Sequence, residues 1–135
     1  MHTSADVFTG PGYRLTFQFQ PDYLQVRLSE GAAPNVETMR SYWALIAERV
    51  HQLQATQLLV LDDMPGEVLS DAGMELFFQG IEALGLKDTR IAYVKQRVDM
   101  AMRMEEVEQQ ALELGYYVRM TANESDARLW LSYGE

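Results

Sequence analysis

The sequence predicts a single α/β domain on a mixed β-sheet, mostly parallel, with an antiparallel hairpin at its N-terminal edge. Three observations carry that expectation. Apolar and polar residues alternate from Tyr13 to Phe19 and again from Leu24 to Leu28, the period-two pattern of strands with one buried face. Leu58-Leu59-Val60-Leu61 is instead a continuous apolar run, as in a strand covered on both faces. Stretches of helical periodicity separate the later strands, and parallel strands require such crossovers.

Taken in order, residues 1–12 are small and polar and end in Gly10-Pro11-Gly12, which predicts a flexible lead-in before a domain spanning residues 13–135. Pro21-Asp22 turns the hairpin. Asn35 is placed to cap a helix in which Val36, Met39, Trp43, Ile46, Val50 and Leu53 recur at helical spacing. The continuous run at 58–61 then ends in Asp62-Asp63. Met74, Phe77, Phe78, Ile81 and Leu84 mark a second helix stopped by Gly85, and residues 91–94 read as the next strand. Met100, Met104, Val107, Ala111 and Leu114 form one stripe of a third helix over residues 99–114. A last strand at 116–120 precedes a short helix, capped by Asn123, that turns Ala127, Trp130 and Leu131 inward. The resulting order is ββαβαβαβα.

Bulk properties narrow the function. The 135 residues fit one core, and the absence of cysteine removes disulfides, thiolate nucleophiles and cysteine-based metal centres. That composition, with no secretory pattern at the start and no apolar run of membrane-spanning length, predicts a soluble cytoplasmic protein. A formal charge of −9 argues against nucleic acid and anionic membranes, whose binding depends on Lys and Arg displacing counterions. His2 and His51 have no second ligand at metal-binding spacing. There is no nucleophile elbow and no glycine-rich phosphate loop, so the residues indicate neither an enzyme nor a cofactor or metal.

The acid-ended strand, the short loop and "SDAGM" opening a helix, together with the ending "ANESDARLWL", resemble the STAS (anti-sigma-factor antagonist) fold and its SpoIIAA-like branch. The resemblance runs from Tyr13 through nearly the whole chain. It implies a bacterial, non-enzymatic regulatory domain that works by protein–protein contact. That family's signature turn reads Asp-Ser-Ser-Gly, and in its regulatory members the serine just before the glycine is phosphorylated by a partner kinase. Aligning that glycine with Gly73 puts Ala72 at the acceptor, Asp71 at the preceding serine and Ser70 at the aspartate, so the acceptor hydroxyl is missing.

Two surfaces follow as candidates. The first is the loop and helix start bearing Asp63, Glu67, Ser70 and Asp71, an interaction surface for a protein partner, expected to be basic by charge complementarity. Ser70 or Asp71 also reads simply as the cap of the second helix. The second lies in "DMAMRMEEV", where Met100 and Met104 share a helix face and Met102 points elsewhere. Val98 and Met102 are there read as a contact for a homodimer or a small apolar, lipid-like ligand, methionine being adaptable in shape. Asp62 and Asp63, with Lys95 after the next strand, read as solvated strand ends.

Overall fold

The structure, a computed structural model, describes residues 6–10, 12–29, 35–65 and 70–133. Across these residues it is an α/β fold with one mixed six-stranded sheet and four α-helices. The strands are β1 (Asp6–Gly10), β2 (Tyr13–Phe19), β3 (Leu24–Ser29), β4 (Gln57–Asp62), β5 (Arg90–Val94) and β6 (Tyr117–Thr121). The helices are α1 (Val36–Leu53), α2 (Asp71–Ile81), α3 (Ala101–Glu113) and α4 (Glu124–Tyr133).

The strands lie in sequence order across the sheet, β1-β2-β3 antiparallel and β3-β4-β5-β6 parallel. This order dictates where the helices go. Each right-handed crossover that steps to the next strand in the same direction leaves its helix on the same face. Accordingly α1, α2 and α3 all pack over one face, where Ile46, Phe77 and Val107 join Val26, Leu58 and Val60 in the main core. Among the described residues the other face is covered by one helix, α4, through Ala127 and Leu131 on Leu59, Leu61, Ala92 and Val94.

The strand at 58–61 is therefore apolar throughout because its alternate residues serve two cores, as its sequence predicts. Trp43 is buried on the three-helix face. Trp130, read from its stripe as turned inward, is only half-buried, because a single helix cannot seal that side. The Arg90 guanidinium lies 4.2 Å from its ring centroid and donates to its backbone carbonyl at 2.9 Å.

Capping follows the sequence closely. Asn35 Oδ1 accepts from the Thr38 amide at 2.9 Å, and Ser70 Oγ accepts from Gly73 at 3.2 Å, each relieving an orphan donor of the first turn. Asn123 Oδ1 accepts from Ser125 and Asp126 at the start of α4. Gly85, at φ 71°, ends a 3-10 turn over Glu82–Leu84 in the left-handed region open to glycine. Two boundaries shift: Val98–Met100 form a separate 3-10 turn before α3, and β6 begins one residue later than expected.

β1 is the element that sequence reasoning did not assign, since its residues fall in the stretch read as a flexible lead-in. All five are at least partly exposed, so no inward stripe announces a strand. Its place is set by side-chain contacts across the sheet. Phe8 meets Phe17 edge-on, the Arg49 guanidinium lies 5.2 Å from both ring centroids, and Arg49 pairs with Asp6. Gly12, at φ 84°, makes the turn into β2. Residues 1–5 of that stretch, with His2, lie outside the described residues, and so does Glu67.

Candidate functional site

Period-two alternation along β4 puts Leu58, Val60 and Asp62 on the three-helix face. On β5 it does the same for Ile91 and Tyr93, and Lys95 just beyond the strand continues the row. The parallel register that aligns Val60 with Tyr93 and Leu61 with Val94 brings Asp62 beside Lys95 one step further on. Two apolar stripes thus end, at the carboxyl edge of the sheet, in an acid and a base. In an open α/β sheet this edge is where ligands gather.

Between that face and the helices lies a cavity of about 100 Å³. Its floor is Ile91, Tyr93, Val118 and Met120. From above it is lined by Met39, Tyr42 and Trp43 of α1, Met74, Phe77, Phe78 and Ile81 of α2, and Val107 and Ala111 of α3. Asp62 and Lys95 stand at one end, and the remaining walls are overwhelmingly apolar. An apolar pocket with a few convergent polar groups is the usual form of a small-molecule site.

The polar end is tightly satisfied. Asp62 Oδ1 accepts from the Met64 amide at 2.9 Å, and Oδ2 accepts the Tyr93 hydroxyl proton and faces Lys95 Nζ at 3.4 Å. Lys95 Nζ also donates to the Met64 carbonyl at 2.9 Å. The side chains of Asp62 and Lys95 are only 5% and 7% exposed, so neither charge is carried by solvent and each requires the other. These two were expected as solvated strand ends. The structure corrects that reading: the acid on the inward stripe is buried and paired.

Burial, then the negative charge of Asp62, drives the Tyr93 phenol well above its ordinary pKa, and a neutral hydroxyl is what donates to the carboxylate. Tyr42 is raised for the same two reasons, burial first and Asp62 second. Unlike Tyr93, its hydroxyl has no hydrogen-bond partner among the described residues. At the opposite end of the cavity the Tyr116 hydroxyl is buried and also unpartnered among the described residues. Tyr116 is raised by burial and by Glu82.

The residues read as sites from sequence lie elsewhere. Asp63, on the opposite side of its strand from Asp62, pairs with Arg27 at 2.5 Å. Ser70 caps α2, and Asp71 in the first turn pairs with Arg103 at 2.7 Å, which itself also meets Glu106. Two of the acids proposed for a negative patch are therefore already matched by cations of the same chain. Val98 and Met102 are 81% and 82% exposed and do not line the cavity, whereas Met100 and Met104 are buried. His51 Nε2 lies 2.7 Å from the Leu84 carbonyl, a structural tie at the end of α1. Among the described residues no group of three metal-ligating side chains occurs and no helix is long and apolar enough to cross a membrane.

Sequence reasoning placed Lys95 and the two acids at one edge but missed Tyr42 and Tyr93. Both carry a readable signal, a polar-tipped residue inside an otherwise apolar stripe. No protein-family model matches the chain, and no curated protein matches it.

Proposed function

We propose that this protein binds a small, largely apolar ligand in the cavity beneath α1, α2 and α3, as a carrier or sensor. The single observation behind the reading is the cavity itself: an apolar space of about 100 Å³ between the sheet and three helices. Interiors pack as densely as organic crystals, and unfilled space forfeits contacts in proportion to its volume. A dry apolar cavity of about 150 Å³ takes up benzene, so this one, at about two thirds of that volume, takes a short chain as it stands and a ring only as its flexible walls give way. Met39, Met74 and Met120 on its walls give it adjustable edges.

The test is native mass spectrometry of freshly purified protein, followed by thermal unfolding with added toluene. A retained ligand mass, or a melting temperature that climbs with toluene, is the expected outcome. Ala111→Leu, which adds bulk from α3 into the cavity, should abolish the toluene response without unfolding the chain. A melting temperature indifferent to toluene, with no retained mass, sinks the reading.

A second reading, a STAS-like interaction domain lacking the phosphoacceptor hydroxyl, draws its support from Val98 and Met102. They place two strongly exposed apolar side chains within five residues, around the start of α3. Concentration-dependent sedimentation of the wild type against Val98→Ser/Met102→Ser separates a homodimer from a monomer. Capture of a partner by the wild type but not by the variant would support a heterologous contact.

A further inference from the structure

The two ends of the cavity treat a ligand differently, and the difference specifies its chemistry. At the carboxyl edge of the sheet Asp62 and Lys95 oppose each other, so their charges cancel locally. Most of their hydrogen-bonding capacity is committed as well: both Asp62 oxygens accept, from Met64 and from Tyr93, and Lys95 Nζ uses two of its three N–H donors on the Met64 carbonyl and on Asp62. An anionic head group here would be buried against Asp62, a cationic one against Lys95, and neither would gain a free counter-charge. Among the described residues the Tyr42 hydroxyl, beside this pair, has no hydrogen-bond partner. The residue is 1% exposed, lines the cavity and lies close enough to Asp62 to feel its charge. Its neutral phenol both donates and accepts. Any water that solvates it must be displaced by a ligand, and a hydrocarbon would leave the hydroxyl unmatched.

We infer that the cavity selects an uncharged, ring-sized apolar ligand carrying one hydrogen-bonding oxygen, with the Tyr42 hydroxyl as the residue that recognises the oxygen. This rests on the cavity being a ligand site, and adds to that reading the class of ligand and its anchor. The rest of the ligand lies against apolar walls such as Phe77, Val107 and Val118.

The experiment compares toluene, p-cresol and 4-methylbenzoate, which share one skeleton and differ in head group, by titration against the full chain with NMR detection. In the wild type p-cresol should bind about tenfold more tightly than toluene, the effect of one net hydrogen bond in an apolar site, and 4-methylbenzoate most weakly of the three. Tyr42→Phe should bring p-cresol down to the affinity of toluene while leaving toluene within about twofold of wild type, which also shows that the variant is folded. Tyr116→Phe should leave the cresol preference intact. The inference is overturned if wild type binds toluene and p-cresol equally, if 4-methylbenzoate binds as well as p-cresol, or if Tyr116→Phe rather than Tyr42→Phe removes the preference. Should none of the three probes bind at all, the ligand-site reading fails, and the inference falls with it. Binding of toluene without discrimination sinks the inference and leaves the ligand site standing.

Discussion

Asp62 and Asp63 are neighbours in sequence, each within reach of one cation, and they inhabit opposite physical regimes. Asp62 points inward from β4 to Lys95, with both side chains nearly inaccessible, while Asp63 points outward to Arg27, with side chains 46% and 43% exposed. The ion pair on the surface is the shorter of the two, at 2.5 Å against 3.4 Å. Distance is nonetheless the lesser variable. In water the Arg27 pair is screened and its partners lose side-chain entropy, so it contributes little. Inside, the Lys95 pair has no solvent to fall back on, and removing one partner strands the other.

The largest expected effect follows from that contrast. Lys95→Met should destabilise the fold by about 3–5 kcal/mol in urea unfolding, because it leaves Asp62 buried without a counter-charge. Adding Asp62→Asn should recover at least half of the loss, since the amide is neutral and still offers an oxygen to the Met64 amide. If the double variant is no more stable than Lys95→Met, the cost lies in packing and the comparison between the two acids is broken. Trp43→Ala, an apolar truncation of comparable expected size on the same face, provides the scale for packing loss alone.

This polar end also shows what was legible in the sequence. The α/β class, the N-terminal hairpin, the helices and their caps at Asn35, Ser70 and Asn123 all rest on local patterns, and local patterns survive in one dimension. Which residues share an edge is half legible: Asp62 sits two places after Val60 on one stripe, and Lys95 two places after Tyr93. What the alternation cannot reveal is that α1 swings Tyr42 to the same end, or that the helices leave room between them, because a cavity is a property of three elements at once. β1 was hidden for the complementary reason. An exposed edge strand held by Arg49 stacking on Phe8 and Phe17 needs no apolar stripe of its own.

Next in size is an alkaline effect confined to the buried region. The folded-state pKa values of Tyr42 and Tyr93 are raised, so folding favours their protonated forms. Their contribution is fully present below the unfolded value near 10 and is lost as pH rises above it, where the unfolded chain releases protons that the folded chain retains. Each phenol should remove about 1.4 kcal/mol of stability per pH unit in that range. Tyr42→Phe should reduce the slope by one such share. A slope unaffected by the substitution would mean that Tyr42 ionises in the folded state and is not the sealed, neutral group that its burial implies.

The outer acids mark the lower end of the scale. Arg27→Ala should change stability by about 0.5 kcal/mol or less, because both partners keep their hydration when the pair is broken.

Asp71→Asn tests the same regime with one difference. Its side chain is 90% exposed, and its partner Arg103 keeps Glu106 at 3.1 Å when the Asp71 charge is removed, so the ion pair itself contributes almost nothing. Asp71 nevertheless opens α2, where a negative charge interacts favourably with the helix dipole by about 0.3–1 kcal/mol at low ionic strength. The variant should therefore lose under about 1 kcal/mol in dilute buffer, and the loss should shrink with added salt, which screens such a charge over about 10 Å at 0.1 M. Lys95→Met, measured in parallel, should be nearly insensitive to the same salt, because no ions enter the buried pair. If salt erases both losses alike, the two acids share one environment and Asp62 is not sealed. If it erases only the Asp71 loss, the Asp62 pair is sealed from the ions that reach an outer acid.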